Sequence, residues 1–119
     1  MKLTDIIEKL ELNIQSGHDP SDLEREVIGG YVGDMLSGVL AHAESNDIWV
    51  TIQLHLNIIP IAKMKDISGI IIANGRQPDE ETLEKARTED VPVLGTGMNA
   101  YQVVGKLYEL GIGRRDENV

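Results

Sequence analysis

Four polar clusters, each close behind an apolar run, hold the side chains of this sequence best suited to chemistry. They are Gly33-Asp34; Gln53, His55 and Asn57; Asn74-Gly75-Arg76; and Thr96, Gly97 and Asn99. Arg76 offers a forked cation to a carboxylate or phosphate. The amide and hydroxyl side chains add donors and acceptors, and the glycines let backbone approach a ligand closely. Together they are suited to holding a small polar or phosphorylated ligand, such as a nucleotide. A second chemistry is acid–base catalysis by Asp34 and His55, which requires the two side chains to meet across one cleft. Asn, Asp, Gly and Thr are also the ordinary residues of strand-to-helix turns and caps. Turn chemistry therefore competes with ligand contact at each of them. His55 and Arg76 are less readily absorbed by turns, although a structural histidine remains an alternative for His55.

The elements that must position these clusters follow from apolar periodicity. Thr4 is expected to cap a helix from Asp5 to Leu10, with Ile6, Ile7 and Leu10 on one face. Leu12 to Ser16 reads as a short strand, and Gly17 to Asp22 as a turn. A strand is expected from Glu24 to Tyr31, ending at Gly29-Gly30 or just beyond. The helix after Gly33-Asp34 reaches Ala43, and Met35, Leu36, Val39, Leu40 and Ala43 have the spacing of a buried stripe. Gly38 within it costs about 1 kcal/mol relative to Ala and implies close packing. Asp47 to Gln53 is a strand rich in β-formers. Asn57 is placed to cap a helix running to Lys65, with Pro60 in the first turn. Gly69 to Ala73 is almost wholly apolar, as a parallel strand covered on both faces should be. Asn74-Gly75 is a turn, Asp79 to Glu89 a helix, Val91 to Leu94 a strand, and Asn99 caps a last helix from Ala100 to Leu110 that Gly111 ends.

Strand and helix alternate after residue 24, which predicts an α/β domain with a mostly parallel sheet. In such sheets ligands bind beyond the carboxyl ends of the strands, where all four polar clusters fall. One domain over residues 1–112 with a polar tail over 113–119 accounts for the 119 residues.

Several familiar machineries are excluded. Gly95-Thr96-Gly97-Met98-Asn99-Ala100 matches the dinucleotide fingerprint G-x-G-x-x-A, but no later strand brings a ribose-binding acid, so an NAD site is not expected. Gly105-Lys106 lies inside a helix and is no phosphate loop. His18, His42 and His55 lack metal-ligand spacing. Ser37 and Ser68 sit in no recognisable nucleophile context. Trp49 reads as core or interface filling. No cofactor is expected.

The bulk numbers narrow the partners. With 11 basic and 20 acidic residues the net charge is −9, which repels nucleic acid and anionic membranes. The Arg114-Arg115 pair is too short to counter this. The absence of cysteine removes disulfides and thiolate chemistry and fits a cytoplasmic setting. The opening Met1-Lys2-Leu3-Thr4-Asp5 has no leader-like apolar stretch, and Ile70 to Ala73 is too short to span a bilayer.

Two sets of motifs carry a family resemblance over about residues 3–112. Leu12-Asn13-Ile14-Gln15-Ser16-Gly17 and Leu23-Glu24-Arg25-Glu26-Val27 resemble the opening of the N-terminal domain of HPr kinase/phosphorylase. Gly69-Ile70-Ile71-Ile72-Ala73-Asn74-Gly75, Pro78, and Val91-Pro92-Val93-Leu94 resemble the related DRTGG domain. Here Leu54-His55 stands at the Asp-Arg place and Ala73-Asn74-Gly75 at the Thr-Gly-Gly place, so only the final glycine is retained. The resemblance implies a three-layer α/β domain with a four- or five-stranded sheet. It implies a non-catalytic regulatory or ligand-sensing module, since the family's kinase chemistry belongs to a separate phosphate-loop domain. It also implies homodimerisation and a separate partner enzyme or redox complex, stand-alone relatives being found beside genes for complexes such as hydrogenases.

Overall fold

The computed structural model describes residues 1–17 and 19–113. The elements are α1 (Leu3–Leu10), β1 (Asn13–Ser16), α2 (Pro20–Leu23), β2 (Gly29–Val32), α3 (Leu36–His42), β3 (Asp47–Thr51), α4 (Ile58–Met64), β4 (Gly69–Ile72), α5 (Glu80–Thr88), β5 (Val93–Gly95) and α6 (Ala100–Glu109). The five strands form one sheet in the order β1-β5-β4-β3-β2. Strands β2 to β5 are parallel neighbours, and β1 closes the far edge antiparallel to β5.

The side-chain alternation of the strands divides the core in two. Ile48, Val50, Ile71 and Leu94 point to one face, where Leu3, Ile6 and Leu10 of α1 meet Val103 and Leu107 of α6. Trp49, Ile70, Ile72 and Val93 point to the other, under Val39 of α3, Ile58, Ile59 and Ala62 of α4, and Ala86 of α5. The architecture is therefore a three-layer α/β sandwich with a mostly parallel five-stranded sheet. β3 and β4 are buried at every position, which is why their sequences lack polar alternation. Where β1 bulges between Ile14 and Ser16, the fully buried Ser16 hydroxyl donates to Val91 O at 2.7 Å and accepts from Val93 N at 3.0 Å. One side chain thus satisfies the backbone groups that the bulge leaves unpaired.

Several boundaries differ from the sequence reading, each for a local reason. Lys2, not Thr4, occupies the cap position of α1, and the Thr4 hydroxyl donates to Glu24. The expected turn over 17–22 contains α2, begun by Asp19, whose carboxylate accepts from Ser21 N; His18 lies outside the described residues. The strand expected from Glu24 reduces to Gly29–Val32, because the preceding segment pairs with the chain start: Leu3 N donates to Arg25 O and Val27 N to Met1 O. The stripe on α3 is only half covered. Val39 and Ala43 are buried, but Met35 and Leu40 are exposed, since the helix ends the layer over the edge strand. Gly38 does pack closely: a Cβ there would stand 2.7 Å from the Tyr31 hydroxyl. Ile112 joins the core and Gly113 N donates to Ile28 O, while the rest of the expected tail, 114–119 with Arg114 and Arg115, lies outside the described residues.

Candidate functional site

The four polar clusters do come together at the carboxyl edge of the parallel strands, tied to one another in series. The Asp34 carboxylate, behind β2, accepts from Thr51 Oγ1 at 2.7 Å and from Ile52 N at 3.0 Å, both at the end of β3. Taking Ile52 N is what stops β3 at Thr51, short of the expected Gln53. Gln53 Nε2 donates to Asp34 O at 3.3 Å. The Arg76 guanidinium, behind β4, donates to Ile52 O at 2.9 Å. Asn74 N donates to Met98 O and Gly75 N to Thr96 O, both at 2.8 Å, fastening the β4 loop to the β5 loop. The rim is thus one connected surface made from four loops.

Inside that surface most of the singled-out side chains serve the turns. Gln53 Oε1 accepts from Leu54 N and His55 N at 3.1 Å each. Asn57 occupies the cap position of α4 without a side-chain cap bond. Asn57 is itself in the helical region (φ −65°, ψ −12°), Ile59 N donates to Leu56 O, and the third residue, Pro60, has no N–H to give. Instead the Asn57 N–H is taken by His55 Nδ1 at 3.0 Å, so in the neutral ring the proton is on Nε2. Asn74 and Gly75 adopt φ 63° and 66°, a tight left-handed pair closed by Arg76 N donating to Ala73 O. Their amides are spent on the β5 loop. Thr96 is buried with its hydroxyl accepting from Met98 N, and Asn99 forms a reciprocal cap with Gln102.

Of the sequence set only Thr96 is buried, with Gly33 and Gln53 half-buried; the others, His55, Asn74 and Arg76 among them, are exposed, and a Cβ at Gly97 would meet nothing within 4 Å, so backbone there is open to approach. Asp34 and His55 are held by different partners and no hydrogen bond joins them, so the acid–base pair is not assembled. The sequence reading missed Thr51, buried at the hub of the rim, whose hydroxyl donates to Asp34 and accepts from Gln53 N. It also missed Thr82 on α5, whose hydroxyl donates to Leu54 O. A lone threonine, at a strand end or in the first turn of a helix, carries no spacing signal that would have marked either. Trp49 is fully buried, and its indole N–H donates to Gly33 O at 2.9 Å, anchoring the first rim loop from below.

Two depressions lie away from the rim. One of about 170 Å³ runs between β2 and α6, floored by Val50, Leu107 and Ile112. One of about 370 Å³ lies at the opposite end of the strands, beside Gly29, His42, Glu44 and Asp47. There burial pushes the Asp47 carboxyl above its ordinary value, partly offset by the hydrogen bond it accepts from Glu44 N at 2.8 Å. Among the described residues no three His, Cys, Asp or Glu side chains gather to hold a metal ion, and no helix is long and apolar enough to cross a membrane.

Comparison with known proteins places the fold. No protein-family model matches the sequence, and no curated protein matches it. In three dimensions the chain is similar to a crystal structure of the CBS and DRTGG domains of the regulatory region of Clostridium perfringens pyrophosphatase, complexed with its activator diadenosine tetraphosphate. The TM-score is 0.72 at 18% sequence identity, over 99% of this chain and 52% of that one. The chain therefore spans about half the length of that regulatory region. The likeness supports the DRTGG-like fold implied by the motifs at 69–75, 78 and 91–94.

Proposed function

We propose that this chain is a DRTGG-type regulatory module that senses a nucleotide or other phosphorylated metabolite and acts, as a cytoplasmic homodimer, on a separate partner enzyme or redox complex. The observation that carries the reading is the likeness, along nearly the whole chain, to a regulatory region whose activator is a dinucleoside polyphosphate. The motifs at 12–17 and 23–27 resemble the N-terminal domain of HPr kinase/phosphorylase and support the same reading. The rim supports the ligand half. His55 Nε2 and the Arg76 guanidinium are donors facing solvent beside the open backbone of Gly97, and such donors suit a phosphate. Asp34, Gln53, Asn57, Asn74, Gly75, Thr96 and Asn99 form the frame that holds these donors in place.

Binding to the folded state must raise its stability, by about 2.7 kcal/mol at a hundredfold excess over the dissociation constant. A thermal-shift series with diadenosine tetraphosphate, AMP, ADP and ATP should therefore raise the melting temperature for at least one of them. His55→Ala and Arg76→Ala should reduce that rise while leaving the unliganded protein folded. No rise with any nucleotide, or a rise indifferent to both substitutions, would remove the rim as the sensing site.

A further inference from the structure

The two faces of the sheet are covered unequally. Three helices, α3, α4 and α5, lie on one face, and α1 and α6 on the other, where the four-residue α2 adds the partly buried Leu23. On that second face α6 lies over β3, and among the described residues no helix makes its main contact with β2 beyond it. The uncovered corner is apolar. Ile28 and Val32 along the strand edge are 67% and 50% exposed, and between β2 and α6 runs the groove over Val50, Leu107 and Ile112.

Helix α6 has two apolar stripes where one would suffice for a surface helix. Val103 and Leu107 fill the core. Tyr101, Val104 and Tyr108 form a second, solvent-facing stripe, with Gly105 between the last two. The spacing is i, i+3, i+4, i+7, one continuous face. Two of the chain's three tyrosines stand on it, in a sequence without phenylalanine. Gly105 is the second informative feature. Glycine within a helix costs about 1 kcal/mol against alanine, and nothing inside the molecule requires it, since a Cβ there would meet no atom within 4 Å. At Gly38, by contrast, a Cβ would stand 2.7 Å from the Tyr31 hydroxyl and that ring would have to shift.

We propose that a second copy of this chain docks on this corner, with α6 antiparallel to the partner's α6 about a two-fold axis passing between Val104 and Gly105. The inference rests on the homodimer reading above and names its surface. The stripe is its own complement under that rotation. Tyr101 faces the partner's Tyr108, and Val104 faces the gap left by the partner's Gly105, so a knob meets a hole twice. Antiparallel helices pack in this manner when a small residue admits close approach. Ile28, Val32, Tyr101, Val104 and Tyr108 together expose roughly 600 Å². That is most of the about 800 Å² per partner of a standard stable interface. It is also at the upper limit of what a monomer usually leaves to water as one patch. Lys106 and Glu109 stand on the other flank of the helix, outside the contact.

The absence of cysteine makes the geometry directly testable. Single variants Tyr101→Cys and Tyr108→Cys, mixed in equal amounts and mildly oxidised, should give a disulfide-linked heterodimer several times more abundant than the homodimer from either alone. Gly105→Glu projects into open space in the monomer, so it should keep the fold by circular dichroism. It should also weaken self-association at least about tenfold by light scattering at micromolar concentration. If the unaltered protein is a monomer at that concentration, the homodimer reading and this interface fall together. If it is a dimer that Gly105→Glu leaves intact, or whose cross-links ignore the 101–108 pairing, only this interface is overturned. The nucleotide thermal shift is scored separately and is not at stake.

Discussion

Asp34 is the residue on which a framing role and a ligand-binding role make opposite predictions. Its carboxylate accepts two hydrogen bonds, from the buried Thr51 hydroxyl at 2.7 Å and from Ile52 N at 3.0 Å. Hydrogen bonds to a charged acceptor contribute about 1.5–3 kcal/mol each when buried. Asp34 is itself exposed, which puts both near or below the lower end. Asp34→Ala should then cost about 2 kcal/mol in total, a fall in melting temperature of about 8 °C for a chain of this size. The assay is urea denaturation followed by the fluorescence of Trp49, the single tryptophan, whose indole is bonded to the adjacent Gly33 carbonyl. Thr51→Val and the double variant complete a cycle, and the coupling between the two sites should be about 1 kcal/mol. A loss below about 0.5 kcal/mol, or a gain, would refute the reasoning: it would mean that the carboxylate is kept for something other than the frame, at a cost to stability.

Two other outcomes follow from buried polar groups. Ser16→Ala removes the hydroxyl that serves both Val91 O and Val93 N, and should lower stability by about 2–4 kcal/mol in the same denaturation assay; a loss under about 1 kcal/mol would show that the β1–β5 bulge does not depend on it. Asp47 predicts a pH dependence. Burial raises its folded-state value above its unfolded one, so between the two the native state holds more protons. Its contribution is most favourable below the unfolded value and declines as pH rises through the folded one. Asp47→Asn retains an oxygen for Glu44 N but cannot ionise, so its stability relative to the unaltered chain should improve as pH rises from about 4 to about 7; parallel pH profiles would contradict this.

The sequence revealed the architecture wherever one local pattern had one physical meaning. The run Gly69 to Ala73 has no polar position because it is covered on both faces, and it is β4. Strand-end turns gathered on one edge because parallel strands joined by helices on a single face leave no other arrangement. What stayed hidden depended on neighbours far along the chain. Residues 25–27 look extended, and nothing in them shows that they pair with residues 1–3 rather than with β3. Met35 and Leu40 look like core because periodicity does not disclose that α3 lies at an edge. At the rim, His55 and Arg76 seemed surplus to turn chemistry, yet each has one nitrogen holding backbone, His55 for Asn57 and Arg76 for Ile52. That is a matter of which loops touch, which spacing does not encode.

The position of β1 has a consequence for how the chain must assemble. It precedes every other strand in sequence but hydrogen-bonds only to β5, residues 93–95. Likewise the apolar face of α1 rests in part on Val103 and Leu107. During synthesis β1 therefore waits, while β3, β4 and β5 each find as a neighbour the strand made just before. Of the five strands of this sheet, the first to be made is the last to be paired, and until then the β5 side of the nascent sheet is unclosed.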